Sequence, residues 1–194
     1  MGGVSEIVVI RHGETEWSAD GRHTGRTDLP LTERGERSAR ALRPLLADRR
    51  FGLVLASPLE RARRTAELAG LSPQLDDDLM EWDYGAYDGR TTDEISEELG
   101  RRWSVWHDGV VGGESLGEVA LRLRRVIDRA RPVLDAGADV ALVAHGHALR
   151  VLAACWLELA PTEGSRLVLR AGAVGTLGFE HGWPALTGWN VGPQ

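Results

Sequence analysis

Ile7-Val8-Val9-Ile10-Arg11-His12-Gly13-Glu14 is the stretch that decides the fold. Four consecutive apolar, β-branched residues read as a strand buried on both faces. That run passes straight into an arginine, a histidine and a glycine. Two further stretches share the pattern. Leu53-Val54-Leu55-Ala56 leads into Ser57-Pro58, and Val140-Ala141-Leu142-Val143-Ala144 leads into His145-Gly146-His147. Helical segments separate them, so the chain reads as an α/β protein, a three-layer α/β/α sandwich with a mostly parallel central sheet. In such sheets ligands bind beyond the carboxyl ends of the strands. Three strands that end in polar residues therefore predict one site there.

The intervening segments carry their own signals. Thr32 reads as the N-cap of a helix reaching about Ala47, with Pro44 kinking or restarting it. Ser57-Pro58 predicts a helix ending near Gly70, with proline in its first turn. Short helical pieces are expected around Thr92–Leu99, within a harder stretch from Gln74 to Gly113. Ser115 with Glu118 forms a capping box for a helix over roughly Leu116 to Leu134, and Ala148–Leu157 should be helical. The last 30 or so residues alternate apolar and small side chains, which suggests antiparallel strands at a sheet edge. No repeat, low-complexity tract or linker divides the 194 residues, so one domain is expected.

Composition excludes several classes of function. At 42% apolar and 27% charged residues the chain has ordinary globular make-up, and its formal charge of −6 argues against a nucleic-acid-binding face. All 23 basic residues are arginine. Without lysine there is no Schiff base, no pyridoxal-phosphate site and no Walker phosphate loop. Cys155 is the single cysteine, which excludes an internal disulfide and a cysteine-based zinc site. No apolar run approaches the ~20 residues of a membrane span, and Met1 to Glu6 lack the regions of a signal peptide. A soluble, cytoplasmic protein is the expectation.

Arg11, His12 and His145, with the run Arg61, Arg63 and Arg64, would make a compact dianion site if they converged. Arginine forks match phosphate oxygens and stay charged. A histidine among them can act as a nucleophile towards phosphorus. A carboxyl group could then protonate the leaving oxygen.

At this point the sequence resembles the histidine phosphatase superfamily, which contains phosphoglycerate mutases and many phosphomonoesterases. Arg11-His12-Gly13-Glu14-Thr15 resembles its signature, and the segment Ser57 to Ala66 its second arginine segment. Leu79 to Gly89 resembles its acid segment, and Val143-Ala144-His145-Gly146 the segment of its second histidine. The resemblance implies a phosphoglycerate mutase-like fold with a small lid insertion over about residues 90–114. It implies no cofactor and no metal. It makes His12 the nucleophile, with Arg11, Arg61 and a protonated His145 neutralising the phosphoryl oxygens, and Glu81 the proton donor. It also puts Ser18, Thr24, Gly25, Tyr84 and Gly146 among the substrate contacts, although Ser18 stands where many members have asparagine. The partner implied is a small phosphomonoester, and a homodimer is left open.

Two other readings compete with a phosphatase. A mutase would return the phosphoryl group to its substrate, but Thr92 stands where those mutases have lysine, and His107-Asp108 where they have an arginine pair. Arg101 and Arg102 are the nearest cations for that role. A non-catalytic phospho-ligand binding protein ranks lower, because both His12 and Glu81 are present. Protein-phosphotyrosine hydrolysis has no marked surface here. The insertion should set specificity, with Trp103 and Trp106 as an apolar wall and Arg22, Arg26, Arg101 and Arg102 seating a second anionic group. Blander readings stand beside these: Asp76–Asp78 as a solvated turn, Arg63 and Arg64 as surface charges, Trp103 and Trp106 as packing, and Cys155 as a small buried apolar residue. His147 fits either the pocket mouth or a structural place at a helix N-terminus.

Overall fold

The computed structural model describes residues 5–192; the reading of the N-terminal stretch lies, for residues 1–4, outside the described residues. Six strands form one sheet: β1 (Ile7–Arg11), β2 (Phe51–Ala56), β3 (Gln74–Leu75), β4 (Asp139–Ala144), β5 (Val174–Glu180) and β6 (Trp183–Val191). Their spatial order is β3-β2-β4-β1-β5-β6. The first four are mutually parallel, and β5 and β6 complete the sheet antiparallel at one edge.

The strand expected to be buried on both faces is buried on both. Ile7 and Val9 pack on one side with Val140 and Leu142. Val8 and Ile10 pack on the other with Ala56 and Val143. The period of two in a strand divides the run between two cores. The helices follow in chain order: α1 (Glu16–Ala19), α2 (Glu33–Arg40), α3 (Arg43–Leu46), α4 (Glu60–Leu68), α5 (Thr92–Leu99), α6 (Val105–Asp108), α7 (Leu116–Asp135) and α8 (Gly146–Trp156). Leu42 with residues of α3 and α4 covers the Val8 face, while α7 and α8 cover the Ile7 face. The result is the expected three-layer sandwich.

Most local signals hold. Thr32 caps α2 through the Gly35 N–H at 3.0 Å, and Pro44 restarts the chain as α3. Ser115 and Glu118 form the capping box of α7. Three readings need correction. Helix α4 begins at Glu60, beyond Pro58: the Ser57 hydroxyl lies 2.8 Å from His145 and accepts the Leu59 N–H at 3.4 Å, and Leu59 stands extended as the N-cap, so residues 57–59 form a turn before the helix. Helix α8 begins at Gly146, earlier than its own sequence suggests, because the Glu81 carboxylate accepts the N–H groups of His147 and Ala148. The Asp76–Asp78 run is not a solvated turn. Asp76 lies 2.6 Å from Arg129, and Asp78 pairs with both Arg125 and Arg129 of α7.

Backbone hydrogen bonds bring the three polar strand ends together. The His12 N–H donates to Ala144, and the Ser57 N–H to Val143. The turn after β1 lies against α2 so closely that a Cβ on Gly13 would meet the Gly35 carbonyl oxygen at 2.5 Å, and one on Gly35 would meet that of Glu14 at 2.2 Å. Only paired glycines fit. Gly35→Ala should cost about 1–3 kcal/mol as an overpacking change. Gly117→Ala, in the open first turn of α7, should instead stabilise by about 0.4–1 kcal/mol. Urea unfolding of the two variants checks both signs.

Candidate active site

A cavity of about 160 Å³ opens beyond the carboxyl ends of β1 and β4, with Arg11, His12, Glu81 and Tyr84 on its wall. His12 is 3% exposed. Its Nδ1 lies 2.7 Å from the Gly13 carbonyl oxygen. A carbonyl can only accept, so Nδ1 carries the proton and Nε2 is left with a free lone pair. Burial, followed by the charges of Arg61 and Arg11, holds the imidazole well below its usual pKa. The ring is neutral. Gly13 is held in turn by its N–H bond to Thr65 Oγ1 at 3.0 Å, and that hydroxyl donates to the Arg61 carbonyl of the same helix.

Arg11 donates from Nη1 to the Leu169 carbonyl at 2.6 Å. Its Nε is buried without a hydrogen-bond partner among the described residues. A buried donor left orphaned costs about 1–3 kcal/mol, and an anionic oxygen in the cavity would relieve it. Glu81, 5% exposed, accepts from the N–H groups of Trp82, His147 and Ala148 at 2.9, 3.1 and 2.8 Å. The positive end of α8 thus faces a carboxylate.

Arg61 and His145 sit behind this wall and are fully buried. Arg61 donates from Nε to His145 Nδ1 at 3.1 Å, and its Nη atoms donate to the carbonyls of Thr24, Gly25 and Thr27. It therefore anchors the 24–27 loop. The expectation of a protonated His145 is corrected here. Its Nδ1 accepts from an arginine, so its single proton lies on Nε2, facing Ser57 Oγ. Burial and then Arg61 depress its pKa well below the usual value.

The remaining expected contacts divide. Ser18, Thr24, Tyr84 and Gly146 line the cavity. The Ser18 hydroxyl is engaged in the cap of α1 with Thr15. Gly25 is buried off the wall, with its N–H donating to Asp88 at 2.7 Å. His147 does both things the sequence allowed: it stands in the first turn of α8 and lines the cavity. The Tyr84 phenol, whose pKa burial pushes far up, donates to His147 Nδ1 at 2.5 Å.

Sequence reasoning missed His23 and Arg150, both on the wall. Arg150 was signalled by its spacing, three residues after His147 on one face of α8. Its guanidinium lies 4.8 Å from the centroid of the Trp106 ring and donates to the carbonyls of Gly164 and Ser165. His23 faces His147 with ring centroids 5.9 Å apart. No residue of the 90–114 insertion lies on the wall. Trp103 and Trp106 are buried behind it, against His23 and His147. Arg101 pairs with Asp108, and Arg26 lies against Asp83 and Glu114. The second anion site expected of these residues is reduced to Arg22. Arg63 is exposed as read, whereas Arg64 pairs with Glu36. Among the described residues no group of three or more His, Cys, Asp or Glu is arranged to hold a metal. Among the same described residues no helix is long and apolar enough to cross a membrane.

A neutral histidine beside an orphaned arginine donor, at the carboxyl ends of parallel strands, defines a site built to handle an oxyanion. The chain belongs to the histidine phosphatase superfamily, whose branch 1 matches residues 7–192. An acid phosphatase from Mycobacterium tuberculosis is 39% identical over 179 residues, covering 91% of this chain and 87% of that one. A sedoheptulose 1,7-bisphosphatase from Saccharomyces cerevisiae is 37% identical over 182 residues, covering 78% of this chain and 67% of that one. A solved structure of an open reading frame product from Mycobacterium tuberculosis superposes with a TM-score of 0.93 at 37% identity, covering 98% of this chain and 99% of that one.

The buried histidines have a thermodynamic consequence. His12, His145 and His147 all have pKa values held well below 6.5 in the fold. The unfolded chain binds protons there that the native one does not, so stability falls as pH drops below about 6.5. Calorimetric unfolding at pH 5.5, in buffers of different ionisation heat, should show uptake of about one proton for each of these histidines. At pH 7.5 that uptake should disappear. Equal values at the two pH values would refute the neutral assignment.

Proposed function

We propose that this chain is a phosphomonoesterase that hydrolyses small phosphorylated metabolites through a phosphohistidine on His12. The observation that carries this reading is the His12–Gly13 contact, which leaves Nε2 unprotonated at the cavity. Nε2 attacks phosphorus in line with the leaving oxygen, forming the N–P bond as the P–O bond breaks. Glu81 gives a proton to the leaving oxygen, and the carboxylate left behind is held by the N–H groups of Trp82, His147 and Ala148. Water then attacks phosphorus and passes a proton to Glu81, the N–P bond breaks, and inorganic phosphate leaves. Arg11 supplies its unpartnered donor to the phosphoryl oxygens, and the field of the buried Arg61 adds to it. His145 acts by holding Arg61 and Ser57, not as a cation.

The cavity volume, about 160 Å³, lies below the roughly 300–1,000 Å³ of drug-sized ligand pockets. That supports a small substrate, and this reading takes the enzyme to work in the cytoplasm. Against the mutase alternative, Thr92 is bonded to His23 at 3.1 Å and Arg101 to Asp108 at 2.5 Å. The insertion thus offers the cavity no cation.

Phosphate release from a panel of phosphomonoesters, assayed with EDTA present, should be unaffected by the chelator. His12→Ala should lose at least about 1,000-fold in kcat, as removal of a covalent nucleophile does. Quenching the wild type in alkaline detergent should trap a base-stable, acid-labile phosphoprotein that the variant lacks. Release that persists in His12→Ala would overturn the reading. Isomerisation of 3-phosphoglycerate without release would move it to a mutase.

A further inference from the structure

Arg122 does not touch the cavity, yet three of its five donor contacts converge on the segment that carries Glu81. It is 6% exposed, on the inner side of α7. Its Nη1 donates to the carbonyls of Asp78 and Met80, both at 2.7 Å, and its Nη2 to that of Glu81 at 3.2 Å. The two remaining donors meet the Glu114 carboxylate at 2.8 and 3.0 Å. Glu114 reaches the same segment from the other side. Its Oε2 accepts the Asp83 N–H at 3.0 Å, and its carbonyl accepts the Trp82 indole at 2.7 Å.

A planar fork can satisfy three main-chain carbonyls at once only if they face one point. Arg122 therefore fixes the backbone of residues 78–81, while α8 fixes the Glu81 carboxylate at the other end. The ion pair with Glu114 is by itself weak evidence of a gain in stability; what it does is hold the guanidinium plane against the three carbonyls.

We propose that Arg122, held flat by Glu114, is the positioning residue for Glu81 and sets where its carboxyl meets the leaving oxygen. The proposal rests on the reading of Glu81 as general acid. It adds that the acid's placement depends on a pair outside the cavity.

The test compares two esters by kcat/KM, which reports steps up to phosphoenzyme formation. β-Glycerophosphate leaves as an alkoxide and needs the acid; p-nitrophenyl phosphate leaves as a stable phenolate and hardly does. Glu81→Gln should lower kcat/KM for the alkyl ester by about 100-fold or more, the usual contribution of a general acid, and spare most of it for the aryl ester. Arg122→Ala and Arg122→Lys should show the same selectivity at roughly 10- to 100-fold on the alkyl ester. Neither should add to the loss in a double variant with Glu81→Gln. If Arg122→Ala fails to fold, Arg122→Lys and Glu114→Gln, which keep the volume, decide the matter. Equal losses on both esters, or none, with Glu81→Gln still selective, would overturn the positioning role. Absence of selectivity in Glu81→Gln itself would instead overturn the general-acid reading beneath it.

Discussion

The 2.7 Å contact between His12 Nδ1 and the Gly13 carbonyl decides which ring nitrogen is free, and much of the structure converges on it. The carbonyl points as it does because the Gly13 N–H is bound by Thr65 on α4, and because α2 presses its own glycine against the turn. The histidine's main chain is bound to β4. One proton's location thus depends on a sheet, two helices and a glycine–glycine approach. A bulkier residue at either glycine would shift the carbonyl and free the ring to turn.

That neutral ring sits among cations, which explains the charge pattern around it. Arg61, buried, and Arg11, half-buried, stand beside His12 and His145, and their fields help keep both histidines unprotonated. Attraction for an anion therefore comes from guanidinium groups, which cannot lose their protons, and His12 keeps the lone pair on Nε2. A protonated His145 would sit against Arg61 with no acceptor left for that arginine's Nε. The net charge of −6 does not oppose this, since surface charges are screened beyond a Debye length of about 8 Å.

The parts of this arrangement that were legible in the sequence are those governed by local pattern. Buried parallel strands leave continuous β-branched runs, and caps leave a hydroxyl three residues before a carboxylate. The strand ends, α2, α7 and the place of the site were readable for that reason. What escaped depends on long side chains closing over large separations. Asp76 and Asp78 looked solvated because their arginines lie about 50 residues further along the chain. Arg122, Arg125 and Arg129, at intervals of three and four, form the stripe of α7 that grips this segment, but periodicity alone does not say what a stripe grips. The state of His145 was misjudged for a related reason. Its residue type predicts a switch near neutral pH, whereas its charge depends on which partner holds each nitrogen.

The insertion over residues 90–114 packs behind the cavity wall. Its tryptophans support His23, His147 and Arg150, and none of its arginines lies on the wall. The cavity rim is consequently made of groups anchored on the scaffold: Arg22 to the Gly89 carbonyl, and Arg150 to those of Gly164 and Ser165. Each has given part of its donor set to that anchor. Between them stand two imidazoles in stacked array, His147 neutral and both facing the cavity. Such a rim presents ring faces and single donors more than a dedicated anion clamp. Under the phosphomonoesterase reading proposed above, recognition rests on the phosphoryl group at the floor, and the organic part of the substrate is constrained chiefly by size.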